Sequence, residues 1–160
     1  MNECEFFRAR RNAELPTFVS VLRALPEGRL DYSPHERSPS AAQIAWTLTG
    51  ELRACCDLAA TGQTEWKPTP PPALDQIIAE FERHHAELDS LVAGLADEGW
   101  RRRGRFLVGA RVAMEQPVGD LLWLFLFDSI HHRGQLSTYI RPMGGKVPSI
   151  YGPSGDEPAK

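Results

Sequence analysis

The amino-acid sequence predicts an all-α fold of four long helices, with a short extended insert before the last one. Three observations carry that prediction. Apolar residues recur at helical spacing in four separate stretches. Glycines and prolines gather in the segments between them, and only around Gly109 does the pattern turn to that of a hairpin. The densest apolar run, Leu121 to Phe127, lies in a stretch with a proline at its start and a glycine pair at its end.

In the first helix, over 5–25, Phe6, Ala9, Ala13, Phe18, Leu22 and Leu25 form the apolar face. Pro16 should interrupt or bend it, since proline has no N–H and clashes with the turn before it. Pro26-Glu27-Gly28 ends the helix, and the region 29–39, with two prolines and little periodicity, is a connecting loop. Ser40-Ala-Ala-Gln43 has the form of a capping box, in which the serine accepts from a free backbone N–H and the glutamine reaches back. The second helix therefore starts there and runs to Gly62. Its inward stripe is Ile44, Leu48, Leu52, Cys55 and Ala59, with Thr47 and Glu51 beside it. A carboxylate next to a core face requires a partner.

WKPTPPP, over 66–72, cannot be helical and is an extended crossing strap. A third helix over 73–96 follows from Leu74, Ile77, Phe81, Leu88, Leu91 and Leu95, with His84 on the stripe and His85 next to it. The segment RRRGRFLVGARVAMEQ, 101–116, is the extended excursion, a small hairpin about Gly109. The last helix begins at Pro117 and stops at Gly144-Gly145, about seven turns later. At 3.6 residues per turn, Leu121, Leu124, Phe125, Asp128, His131 or His132, Gln135, Leu136 and Tyr139 share one side.

A chain of 160 residues fits one domain with its own core, expected over 1–153, followed by a flexible tail at 154–160. A net charge of −3, with 42% hydrophobic and 24% charged residues, gives no general attraction to nucleic acid. The arginines between Arg101 and Arg105 read as a solvated surface cluster. Three cysteines, two of them adjacent at Cys55-Cys56, make no disulfide framework. No apolar run approaches the roughly 20 residues that span a bilayer, and the first residues lack a signal-peptide core, so a reduced, cytoplasmic protein is expected. Nucleophile-elbow, phosphate-loop and dinucleotide fingerprints are absent from the sequence.

Asp128 and His132, four apart on one helix face, have the spacing of two metal ligands, since i and i+4 side chains converge. The same spacing also suits a simple Asp–His hydrogen bond, and both readings are open at this point. The stretch HHRGQLSTYIRPMGGKVPSIYG, from His131 on, resembles the last helix and tail of the DinB/YfiT-like family of metal-binding four-helix bundles. In that family the last helix reads His-x-x-x-His followed by Arg-Gly-Gln, and a third histidine follows an Ala-Trp pair in the second helix. Here His132 matches the second histidine, Asp128 stands at the first, and Thr47, after Ala45-Trp46, stands at the third.

The resemblance covers nearly the whole chain and implies one bundle with its site at the centre. It also implies a divalent metal, zinc or nickel in the family, and a low-molecular-weight thiol whose pKa the metal lowers for transfer or isomerisation on a small molecule. A homodimer is implied too, to which Phe6, Phe7 and Phe18 of the first helix would lend aromatic surface. The resulting candidate ligands are Asp128 and His132 with Glu51 or Thr47, a shell richer in oxygen than three imidazoles and suited to harder ions. Gln135, His131, His84, Arg133 and Tyr151 are expected around it. The alternative is a non-catalytic bundle that binds a small ligand or a second copy and has lost the metal.

Overall fold

The computed structural model describes residues 1–158. Four long helices supply most of the structure: α1 (Glu3–Arg23), α2 (Ala41–Thr61), α3 (Leu74–Ala93) and α5 (Val118–Ile140), with a five-residue α4 (Asp97–Arg101) between the last two. The expectation of an all-α chain is corrected by a three-stranded sheet of β1 (Gln63–Trp66), β2 (Arg103–Val108) and β3 (Arg111–Pro117). The hairpin about Gly109 is there, with the glycine at φ 59°. The sequence reading missed β1, which pairs in parallel with β2 from Gln63 opposite Arg105 to Trp66 opposite Val108. Its partner lies some forty residues further on, so no local pattern announces it.

α2 is the central helix, packed against both α3 and α5, while α1 packs against the other side of α3 and α5. Its capping box forms as the sequence requires, with Gln43 N donating to Ser40 Oγ and Ser40 N to Gln43 Oε1. The backbone carbonyls of Leu30 and Tyr32 in the preceding loop take up two more of its free N–H groups. Gly62 closes the helix in the left-handed region at φ 82°, where only glycine is free of strain. Beside it Arg102 Nη2 donates to the carbonyls of Leu58 and Ala59, at 3.0 and 2.7 Å. The other arginines of that cluster are engaged as well: Arg101 by Asp97, Arg103 and Arg105 by Glu115.

α1 is continuous through Pro16, which sits on the exposed face where the carbonyl it leaves unpaired can meet water. Its buried face is Phe7, Arg11, Phe18, Val21 and Leu22, so the predicted Phe6–Ala9–Ala13 stripe points outward. Arg11 is buried with its Nη2 donating to the carbonyl of His85 at 2.8 Å and standing 3.9 Å from Asp89, while its Nε and Nη1 have no hydrogen-bond partner among the described residues. In the same way α5 is rotated from the predicted phase: Leu122, Leu126, Ser129 and Arg133 are buried, while Leu124 and Asp128 are exposed. One close contact goes with that rotation. A Cβ at Gly119 would lie 2.2 Å from the Trp100 ring, so the indole rests directly on the helix backbone, and Phe7 packs on the same indole at 5.6 Å.

The tail expected to be flexible is tied down over part of its length. Asp156 accepts from Val147 N and Arg141 Nε, both at 2.9 Å, and Glu157 accepts from Ser149 N at 2.8 Å. Positions 159 and 160 of that expectation lie outside the described residues. All three cysteines are free, with Cys55 and Cys56 buried. No helix among the described residues is long and apolar enough to cross a membrane.

Candidate metal centre

Glu51 projects from the middle of α2 towards α5, in a turn where its neighbours Leu48, Leu52 and Cys55 are all core residues. Its side chain is 2% exposed, against 23% for His132 and 53% for Asp128, so the three step from the interior to the surface along the α2–α5 seam. One ligating atom from each lies within 4.8 Å of the other two. His132 Nε2 stands 3.4 Å from Glu51 Oε1 and 3.8 Å from Asp128 Oδ1. On the far side of the ring, Nδ1 is 3.3 Å from Gln135 Oε1. With Nδ1–H donating to that oxygen, Nε2 turns its lone pair to the two carboxylates, which is how a histidine is oriented behind a metal.

Burial is the main cause that pushes the Glu51 carboxyl up to about 9; Ser129 opposes the rise by donating its Oγ–H to Oε2 at 2.5 Å, and the neighbouring Asp128 adds to it. No lysine or arginine forms an ion pair with Glu51 among the described residues. A buried carboxylate without a cation is costly. Two carboxylate oxygens and one imidazole nitrogen, converging around a carboxyl with no lysine or arginine partner among the described residues, fit a divalent cation, and the oxygen majority favours a harder ion than three imidazoles do.

The other predicted positions fall elsewhere. Thr47 gives its hydroxyl to the carbonyl of Gln43 at 2.9 Å and lines a cleft of about 1050 Å³ between α2, α3 and the 67–71 strap, a cleft that none of the three cluster residues lines. His131 is exposed, its ring 5.4 Å from that of His132. His84 is on α3, in contact with Glu80, Arg83 and Glu87. Arg133, expected around the site, is 2% exposed and points instead to α1. It donates to Glu14 Oε2 at 2.6 Å, to Thr17 Oγ1, and to Tyr151 Oη at 2.6 Å, and its guanidinium lies over the Phe18 and Tyr151 rings. Arg133 and Tyr151 thus fasten the tail to α1. Ser129, which holds Glu51, went unnoticed in the sequence; its one signal is a small hydroxyl three positions before His132 in an otherwise apolar stretch.

A sequence model described as the DinB superfamily matches residues 13–136 of the chain. An uncharacterized protein of Bacillus subtilis (strain 168), YrdA, is 28% identical over 145 residues, which are 88% of this chain and 83% of that one. Among solved structures, a DinB-like protein of Bacillus cereus is similar with a TM-score of 0.73 at 19% identity, over 92% of this chain and 97% of that one. The mycothiol-dependent maleylpyruvate isomerase is similar with a TM-score of 0.62 at 13% identity, over 92% of this chain and 64% of that one. At such identities these two likenesses show the fold alone.

Proposed function

Since the chain belongs to the DinB superfamily, we propose that Glu51, Asp128 and His132 form its divalent-metal site, in a four-helix bundle that serves thiol-dependent transfer or isomerisation of a small molecule. The observation that carries this reading is the convergence of the three side chains around a buried Glu51 that has no lysine or arginine partner among the described residues. Asp128 replaces one family histidine, and Glu51, one turn beyond Thr47, takes the part of the other from deeper in the seam. A cation held there supplies the positive charge that lowers the pKa of a bound low-molecular-weight thiol. The chain's own residues do the rest. Gln135 fixes the His132 ring, Ser129 fixes the Glu51 carboxylate, and half-exposed Asp128 leaves the outer side of the site open to ligand. That one of the similar structures is a mycothiol-dependent isomerase supports the thiol part of the reading.

Manganese is the discriminating probe, because it prefers carboxylate oxygen and imidazole to thiolate. Calorimetric titration of chelator-treated protein should show one saturable manganese site per chain and a higher melting temperature at saturation, since a ligand that binds only the native state stabilises it by mass action. Absence of saturable uptake would refute the assignment.

A second reading is favoured by one surface feature. Phe6 (48% exposed) and Phe127 (61% exposed) flank Trp123, with ring centroids 5.9 and 5.6 Å from the indole, and Leu124 is exposed on the same helix. Phe7 and Phe18, counted towards such a surface from the sequence, are buried instead. We propose that the α1–α5 aromatic patch pairs with a second copy of the chain, as a homodimer. Light scattering should give twice the chain mass at micromolar concentration, reduced to the monomer by Phe127→Glu; a wild-type monomer would reject the pairing.

A further inference from the structure

On the opposite side of α2 from Glu51, Cys56 meets His84 and Glu87 of α3, and one ligating atom from each lies within 4.8 Å of the other two. We propose that Cys56, His84 and Glu87 form a second divalent-metal site, of zinc type, distinct from the Glu51 centre. The residue types are those of zinc: a thiolate, an imidazole and a carboxylate, drawn from two packed helices. His84 and Glu87 are three apart and so share one face of α3, while Cys56 comes from the helix packed against it.

The second observation is His84 itself. It is 7% exposed, and its Nδ1 is a buried nitrogen with no hydrogen-bond partner among the described residues. Glu87 Oε2 lies 3.3 Å away but outside hydrogen-bonding geometry. An unpaired polar atom in the interior is costly, and this one faces two other metal-ligating groups.

As the ring stands, Nε2 accepts from Arg83 Nη2 at 3.0 Å; metal at Nδ1 requires the proton to move to Nε2 and Arg83 to turn away, with Glu80 Oε2, one turn back and 3.5 Å from Nε2, as the nearest acceptor. That makes Glu80 a positioning residue, the carboxylate behind a ligating histidine. The competing neighbour is Arg83, whose Nη2 stands 3.0 Å from Nε2 and whose Nη1 is 3.3 Å from Glu87 Oε2. Its side chain is 55% exposed and also holds Glu80 at 2.5 Å, so it can turn away from both Nε2 and Glu87 and keep its third partner. The thiol donates to the carbonyl of His84 at 3.4 Å. On binding, the S–H bond breaks as the sulfur–metal bond forms, and the proton leaves to solvent. Ligands about 2.0 to 2.3 Å from zinc lie about 3.2 to 3.8 Å from one another, so the cluster has only to contract by about 1 Å, and Glu87, on the surface, is free to close it.

Cobalt substitution tests this independently of the first site, because a thiolate ligand gives cobalt a near-ultraviolet charge-transfer band that oxygen and imidazole ligands do not. Wild type and Glu51→Gln should both develop one equivalent of that band, and zinc should displace it. Cys55→Ala should keep the band and Cys56→Ala should lose it. Glu80→Gln should lower cobalt affinity by about 10- to 100-fold. No band in folded wild-type protein, or a band that survives Cys56→Ala, would overturn the assignment, and either result leaves the manganese test of the Glu51 centre untouched.

Discussion

Arg133→Ala is expected to destabilise the fold by about 3 to 5 kcal/mol, the cost of breaking a buried ion pair from one side. The guanidinium is the common partner of Glu14, Thr17 and Tyr151, and it lies 4.7 Å from the centre of the Phe18 ring. Truncation leaves the Glu14 carboxylate, 15% exposed, with the Tyr151 hydroxyl at 2.8 Å but no positive charge. It also unties the 141–157 segment from α1 and opens a cavity where an arginine was packed. For a chain of this length the loss corresponds to a fall in melting temperature of about 10 °C or more. Adding Glu14→Gln should recover part of it, because the uncompensated charge goes with it. Urea denaturation of the three proteins measures both quantities. A loss below about 1 kcal/mol for Arg133→Ala would mean that the network is a surface ornament, contrary to its burial.

Glu51→Gln should act in opposite directions on metal uptake and on metal-free stability. Saturable manganese binding should disappear, because the amide carries no charge to neutralise the cation. Without metal, the variant should be the more stable protein at alkaline pH. The Glu51 carboxyl, raised from 4.5 to about 9, keeps its proton in the folded state where the unfolded chain has given it up. Stability therefore falls as pH rises through that interval, by at most about 1.4 kcal/mol per unit. His85, lowered to about 4 by burial and then by the charge of Arg11, has the opposite sign: it stabilises above 6.5 and that contribution is lost as pH falls through 6.5 to 4. The comparison belongs between pH 7 and 8.5, where the His85 contribution is constant. There the wild type should lose roughly 1 to 2 kcal/mol and Glu51→Gln should stay flat. Denaturation midpoints at several pH values decide it. A variant that loses stability at pH 8 would assign Glu51 a purely structural role, whereas a more stable variant without manganese uptake is the signature of a ligand held ready at a cost to the fold.

What the sequence determined by itself is everything with a local cause. The capping box at Ser40, the stop at Gly62, the turn at Gly109 and the four helical stretches each depend on residues a few positions apart, and each is in place. The family was legible for a related reason, since the run from His131 onward is contiguous. Asp128 and His132 were legible as a pair because one helix carries both.

The tertiary structure decided the rest, because it depends on groups far away in the chain. Leu121 to Phe127 is apolar nearly all round, so periodicity cannot say which side of α5 faces inward. The phase is set by what the polar residues find. Ser129 can be buried because Glu51 accepts from it, 78 positions earlier, and Arg133 because Glu14, Thr17 and Tyr151 surround it, while Asp128 stays at the rim. It holds in part for α1, where Arg11 rather than Ala9 and Ala13 lies in the interior and its Nη2 donates to the carbonyl of His85. Thr47 and Glu51 share a side of α2 in any helical projection, yet only Glu51 joins His132. A stripe of apolar residues fixes that a helix is buried; which of two overlapping stripes turns inward is fixed by where its buried charges and hydroxyls meet partners, and those partners come from other elements.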